Sequence, residues 1–148
     1  RHSLKFPIRI GNFNECLNLS ECIPEFESPH KIEEYQNRCQ SNYLALIAEL
    51  NNTMAGFKIG YDRSNNGSFY SWMGGVLPQY RHNNVATTLA DYQEKWAIEN
   101  GYTSIKLKTR NKHKAMISFS LDRGFTITET IENKNNLETR IWMEKILN

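Results

Sequence analysis

Residues 68–110 constrain the topology more tightly than any other part of the chain. An apolar run from Ser68 to Leu77 is stopped by Pro78, which has no N–H to give to a sheet. A loop of small or αL-tolerant residues follows. From about Val85 the residues Val85, Leu89, Tyr92 and Trp96 then recur on one helical face, with Ala86, Ala90 and Ala97 nearby, until Asn100-Gly101 closes the helix. Those positions read as core. Ile105, Leu107 and Thr109 alternate with Lys106, Lys108 and Arg110, the pattern of a strand with one solvated face. A strand, helix and strand joined at this length form a right-handed crossover, so the two strands are expected to run parallel.

The remainder has to build a sheet around that pair. Ile8-Arg9-Ile10 reads as a first strand, and Asn12 and Asn14 as caps of a helix that runs to about Cys22 before Pro24. Ser28 as N-cap, Pro29 at the first position and Glu33 and Glu34 in an early turn predict a second helix, ending near Gln40. Runs at Tyr43–Leu50, Met54–Tyr61 and Ser68–Leu77, separated by Asn51-Asn52 and by a turn containing Asn66-Gly67, predict an antiparallel meander. Gly74-Gly75 suggests a bulge or a close approach by a ligand. After Asn111 a helix carries Ala115, Met116, Phe119 and Leu121 to Gly124. Phe125, Ile127 and Ile131 then alternate, Asn133–Asn136 turns, and Leu137–Ile146 is the last strand. The result is an α/β chain, in the order β-α-α-β-β-β-α-β-α-β-β, with a mixed sheet and helices on both faces.

The length suits one domain over residues 1–148, since single domains commonly hold roughly 100 to 150 residues. No apolar run approaches the roughly 20 residues needed to cross a bilayer, and no signal peptide is legible, so a soluble protein without a membrane partner is expected. Arg1-His2-Ser3 reads as an added or trimmed start. Cys16, Cys22 and Cys39 are odd in number and lack zinc-site spacing; free thiols in a reducing, cytoplasmic setting and no metal are expected. Net charge is small but uneven. Residues 1–50 carry five Lys/Arg against seven Asp/Glu, and the rest thirteen against nine, so the second part is the one disposed toward an anion. No dense basic stripe with interleaved aromatics indicates nucleic acid.

The anion has an obvious address. After Pro78, the residues Gln79-Tyr80-Arg81-His82-Asn83-Asn84-Val85-Ala86 lead from strand to helix, where converging backbone N–H groups and the helix dipole attract phosphate. Neither a P-loop nor a Gly-x-Gly-x-x-Gly motif is present. Arg81-x-x-Asn84-x-Ala86 instead resembles the acyl-CoA loop of the GNAT acetyltransferase family, usually written Arg or Gln, x, x, Gly, x, Gly or Ala. Asn84 replaces the first Gly, and His82 stands where many members carry another; Asn is the non-glycine residue that best tolerates positive φ. The element order resembles that family's fold over nearly the whole chain. So do Ala48-Glu49-Leu50 to Gly56-Phe57, and Asn111 to Gly124-Phe125.

That resemblance implies two central strands splayed apart to admit the pantetheine arm of acetyl-CoA, a cosubstrate. It places Val76 and Leu77 backbone against the arm and Arg81, His82, Asn83, Asn84, Val85, Ala86 and Thr87 around the pyrophosphate. Asn111 matches a residue that commonly contacts the arm. Arg81 has a second reading as partner of a backbone carbonyl, and Asn111 as a helix cap. Chemically, an amine with pKa ~10 must lose a proton before attacking the thioester. The oxyanion needs a fixed donor, for which the Val76 N–H is the candidate. Ser120 occupies the place of the family's usual acidic Tyr; it is a much weaker acid, suited to bonding the sulfur, relaying through water, or simply making room in a helix. Tyr70 occupies the place where histone-type members hold a basic Glu. Glu49 and Glu129 are candidates for a base acting through water, and solvated surface carboxylates otherwise. The implied reaction is direct acetyl transfer, in a ternary complex, to a primary amine of a small molecule or of a peptide or protein. The acceptor is expected to enter beside the two early helices and the turn near Asn133. Homodimers are common among such proteins. The rival reading is a CoA-binding sensor or interaction module of the same fold, motivated by Ser120, Tyr70 and the lost glycines.

Overall fold

Asparagines and glycines turn this chain, and among the described residues six that are not glycine take positive φ: Asn42, Asn51, Asn52, Asn65, Asn84 and His82. In the computed structural model, which describes residues 4–148, Asn51 and Asn52 (φ 51° and 65°) form the two-residue turn between β2 (Tyr43–Leu50) and β3 (Thr53–Tyr61). Both central residues of such a turn need positive φ, which explains the pair. Arg1-His2-Ser3 lies outside the described residues.

The sheet has seven strands. With β1 (Ile8–Ile10), β4 (Ser68–Val76), β5 (Ser104–Arg110), β6 (Thr126–Ile131) and β7 (Arg140–Ile146), its order is β1-β2-β3-β4-β5-β7-β6. All neighbours are antiparallel except β4 and β5, the parallel pair that the crossover requires. Helices α1 (Phe13–Glu21) and α2 (Ile32–Arg38) cover one face, where Cys16, Leu19 and Tyr35 meet Ile47, Phe57 and Ile59. On the other, α3 (Val85–Glu99) and α4 (Lys114–Asp122) close a second core around Leu46, Phe69, Leu89, Ile105 and Met143. No helix among the described residues is long and apolar enough to cross a membrane.

Several expectations are corrected. Asn12 caps α1 in a reciprocal box with Glu15, as its position suggested, but α2 begins at Ile32 instead of behind Ser28-Pro29. The segment in between is drawn outward as a strap: Glu25 pairs with Arg81, Glu27 with Lys112, and His30 packs against Trp72. Leu137 belongs to a 3-10 turn capped by Asn135, so the last strand starts at Arg140. Asn111 does not cap α4, whose N-cap is His113. The bulge in β4 is not at Gly74-Gly75. Met73 faces Ile59 and Ser71 faces Gly60, which leaves Trp72 as the extra residue. The glycines serve close packing instead, because a Cβ on Gly75 would stand 2.8 Å from Ile23 Cδ1. Finally, Tyr92 and Leu121 are exposed, while Gln93 and Ser120 are turned inward, 2% exposed each.

Candidate active site

Strands β4 and β5 pair only at Ser68, Phe69 and Tyr70 with Ser104, Ile105 and Lys106. Beyond Tyr70 they part, while β4 stays paired to β3 through Val76 and β5 to β7 through Arg110. The middle of the sheet therefore holds a wedge-shaped gap bounded by two strands, each supported on its far side only. Leu77 N–H donates to the Ala55 carbonyl at 2.8 Å, back toward β3. Because successive strand residues point their polar groups to opposite sides, the N–H and C=O of Val76 turn toward the gap. The Leu77 N–H, expected to meet an incoming arm, is already engaged. The Val76 carbonyl accepts from Arg81 Nε at 3.2 Å.

At the mouth of the gap, the loop after β4 delivers the start of α3. Pro78–Tyr80 forms a short 3-10 turn, then His82 and Asn84 take left-handed backbone, φ 73° and 57°. These are the two positions where the family pattern calls for glycine. Asn84 is the N-cap of α3 and makes no side-chain capping bond, so among the described residues the first-turn N–H groups of Val85, Ala86 and Thr87 have no side-chain acceptor, with Ala86 exposed and Thr87 partly so. Such an end favours an anion. Asn83 works differently: its side chain donates to the Tyr80 carbonyl and accepts from Leu4 N–H, pinning the loop. Arg81 also takes its structural reading, bonded to Val76 and paired with Glu25 at 2.8 Å, which holds the Glu25 carboxyl below its usual range. Asn111 bridges the β5–α4 turn to Asn136, and accepts from Lys114. Lys112 beside it pairs with Glu27 and Glu138. The strap of residues 25–27 is thus tied to the ends of both splayed strands.

The remaining candidates do not meet at one point. Glu49 sits on β2, bound to Arg9 and separated from the gap by β3 and β4. Tyr70 faces the α1–α2 side, buried against Tyr61 and Trp142, and burial pushes its hydroxyl pKa up. It lines a hollow of about 360 Å³ with Arg63, Lys106, Glu129, Trp142 and Glu144. Arg63 lies over both aromatic rings, 4.9 Å from the Tyr70 centroid and 5.3 Å from that of Trp142. So the structure unites Tyr70 with Glu129 and places Ser120 elsewhere. Ser120 lines a much smaller cavity, about 20 Å³, on the α3–α4 side, together with Lys58, Gln93, Leu107 and Met116.

Sequence reasoning missed Lys58, Gln93, Arg63 and Trp142. Lys58 stands across the ladder from Gly74, a pairing that the folded register sets and the sequence does not display, and a missing side chain opposite a long one leaves a path across the strand. Cys16 and Cys39 are buried free thiols, pushed by burial to about 12 and about 11, while Cys22 is free and exposed. Among the described residues no group of three His, Cys, Asp or Glu side chains is placed to hold a metal.

Known proteins agree with this architecture. The model of the acetyltransferase (GNAT) family matches residues 13–125. No curated protein sequence matches the chain. Among solved structures, the ribosomal-protein-S18-alanine N-acetyltransferase of Escherichia coli is 15% identical and superposes with a TM-score of 0.82, over 96% of this chain and 94% of that one. The Salmonella typhimurium protein yncA, solved with its cofactor acetyl-CoA, gives 17% identity, a TM-score of 0.77 and coverage of 98% and 95%. An aminoglycoside 6'-N-acetyltransferase complexed with coenzyme A gives 18%, 0.77, and 95% and 96%. At such identities these likenesses speak for the fold, and the family match, spanning well over half the sequence, places the chain itself: it belongs to the GNAT acetyltransferase family.

Proposed function

We propose that this protein transfers the acetyl group of acetyl-CoA to a primary amine by direct attack within a ternary complex. The observation that carries the reading is the alignment of two features: a gap opened between β4 and β5, with Val76 backbone turned into it, and an α3 N-terminus with no side-chain cap at its mouth. The residues suit the cosubstrate. Its pyrophosphate fits the first-turn N–H groups of Val85, Ala86 and Thr87, with His82 and Asn84 shaping the approach. Its pantetheine arm, rich in amide groups, fits between strands whose facing edges lack sheet partners. Asn83, Arg81 and Asn111 hold the walls of this site.

The chemistry divides between backbone and positioning. The amine nitrogen attacks the thioester carbonyl carbon; charge gathers on the carbonyl oxygen, where the Val76 N–H is the donor. The C–S bond breaks and its electron pair leaves with sulfur. Glu129, in the hollow it shares with Tyr70, is the carboxylate able to take the amine's proton through water, whereas Glu49 is committed to Arg9. Tyr70, its pKa raised by burial, remains a neutral wall at physiological pH. An acyl-enzyme route has little support, since two of three thiols are buried with raised pKa values. Acceptors of relatives include a protein alanine and an aminoglycoside, so peptide amino termini and small polyamines are the classes to try.

The test is thiol release from acetyl-CoA in the presence of an amine panel, with calorimetry for CoA binding alone. Binding with release for at least one amine, and intersecting double-reciprocal lines, is the expected result. Ping-pong lines would contradict direct transfer, and CoA binding without release for any amine would favour the sensor reading.

A further inference from the structure

Among the described residues Lys58 is a charged side chain with no hydrogen bond or ion pair to another protein group, set against one of the more apolar parts of the molecule. It projects from β3 toward the α3–α4 side, and its neighbour on β4 is Gly74. A Cβ at Gly74 would come within 3.3 Å of Lys58 Cγ, so the lysine stem lies across β4 where β4 has no side chain. It thereby reaches the cavity under α3 and α4, lined by Gln93 from α3, Leu107 from the unpaired stretch of β5, and Ser120 from α4. Leu107 is the first residue of β5 past its last pair with β4, so this cavity borders the start of the gap between the splayed strands. Its volume, about 20 Å³, leaves room for roughly one water or one sulfur-sized atom.

The lining is polar where it matters. Gln93 is 2% exposed and its Nε2 has no hydrogen-bond partner, an arrangement that costs free energy unless a ligand or water completes it. Ser120 has only a weak contact to Met116 sulfur at 4.0 Å. Glu94 and Arg123 close the rim, but they pair with one another at 2.9 Å, and Lys145 of β7 takes the other Glu94 oxygen. Lys58 therefore has no carboxylate of its own.

Distance favours the sulfur end of the cosubstrate. Gln93 stands eight residues beyond Val85, about 12 Å along the α3 axis. The pantetheine arm, with about as many backbone bonds as four extended residues, spans roughly 13 Å. An arm anchored on the first turn of α3 is thus long enough for its sulfur to reach this cavity.

We propose that Lys58 is the general acid of the transfer, standing on the departing sulfur in the role that the Ser120 hydroxyl is too weak an acid to fill. The assignment rests on the acetyl-CoA reading above. As the C–S bond breaks, its electron pair goes to sulfur, and the Lys58 ammonium gives that sulfur a proton, producing CoA thiol and neutral Lys58. The proton that the acceptor amine passes through water to Glu129 goes on to solvent, and the balance closes when Lys58 regains one from solvent. Burial, with Arg123 nearby, pulls the ammonium down to about 8 against a partial opposing effect of Glu94, close to the ~8.5 of a thiol. An acid so matched passes its proton with little penalty in either direction.

The test needs no acceptor. CoA is titrated into the wild-type protein, K58M and K58R, and the ionisation of the bound thiol is followed by thiolate absorbance across pH, with calorimetry at each end. Wild type and K58R, which keeps the positive charge, are expected to ionise the bound thiol at least one pH unit lower than K58M, a tenfold shift in its ionisation constant. The CoA dissociation constant of K58M at neutral pH should stay within threefold of wild type. Equal thiol ionisation in wild type and K58M overturns the assignment while leaving the acetyl-CoA reading intact. Wild-type protein that binds no CoA overturns both. Mass spectrometry after incubation with acetyl-CoA alone adds one check: an acetyl adduct on Lys58 would make it an acceptor and overturn its role as acid.

Discussion

Two hollows flank the sheet on opposite faces, and they are built to different standards. The one under α3 and α4 has about 20 Å³, with side chains of Lys58, Gln93 and Ser120 converging from three elements. The one on the α1–α2 face has about 360 Å³, spreads over β4, β5, β6 and β7, and mixes Arg63 and Lys106 with Glu129 and Glu144 around two aromatic rings. A space for a single atom can fix a reacting group to a fraction of an ångström, whereas a broad rim of mixed charge selects molecules loosely. On the function proposed above, the small hollow serves the thioester, the invariable part of acetyl transfer, and the wide one the amine, the part that differs between enzymes. Between the two lies β4, whose Val76 N–H faces the gap beyond its last pair with β5.

The largest effect should come from the strand that divides the hollows. Val76→Pro removes the N–H that faces the gap and leaves the ladder to β3 intact, because at this end of β4 the ladder uses the Leu77 N–H. The turnover number should fall by roughly 10² to 10³, the usual cost of losing one oxyanion donor. Thiol-release kinetics measure it, and thermal melting checks that the fold survives. Unchanged turnover in a folded variant would mean the oxyanion lies elsewhere.

Lys58→Met probes the small hollow alone. Its turnover should drop by about 10- to 100-fold, toward the lower end of general-acid effects because backbone stabilisation remains. Its melting temperature should hold or rise, since a half-buried ammonium without a carboxylate of its own is replaced by an apolar chain of similar volume. The wide hollow should not respond: the KM for the amine is expected to stay within threefold.

Asn84→Val tests the mouth of the gap. A β-branched residue at φ 57° pays on the order of 1–2 kcal/mol in left-handed backbone. CoA affinity measured by calorimetry should weaken about tenfold if the loop unwinds to escape that strain. If affinity holds and only melting falls, the turn keeps its shape at the expense of stability.

The strap across the gap gives the smallest effect. The Glu25–Arg81 pair is half-exposed, so Glu25→Gln should cost only about 0–1 kcal/mol at neutral pH. Its sign with pH is fixed. The folded-state pKa of Glu25 is depressed, chiefly by the Arg81 hydrogen bond, so the pair's stabilisation is full above the ordinary carboxylate range and is lost as pH falls through the depressed value. Urea melts should converge for the two proteins in acid and separate slightly at pH 7.

Much of the scaffold was legible in the chain, and the exceptions have causes. Strand β2 matches its apolar run from Tyr43 to Leu50, and Val85 opens α3, because turn chemistry at Asn51-Asn52 and the break at Pro78 act locally. Ser28-Pro29 carries an equally good local signal for a helix start and fails, since Glu25, Glu27 and His30 find partners outside the segment that hold it in turns and bends instead of helix. The inward turn of Gln93 in place of Tyr92 is a small rotation of α3 that periodicity alone does not resolve. Lys58 was hidden most completely. A bulge at Ala55, where Gly56 faces Ala48 and Met54 faces Glu49, resets which residues of β3 face α3, and only three-dimensional register reveals it. In the loop before α3, Arg81 to Thr87 lie at one helix end. They divide, however, into first-turn N–H groups turned outward and side chains, Arg81 and Asn83, that brace the loop.

Amide hydrogen exchange at two adjacent residues tests the gap itself. Val76 N–H, directed between the splayed strands, should exchange quickly in the free protein and become protected at least tenfold when acetyl-CoA is added. Leu77 N–H, already bonded to Ala55, should exchange slowly in both states. Protection that leaves Val76 unchanged, or that falls on Leu77 instead, would contradict the placement of the thioester arm between β4 and β5.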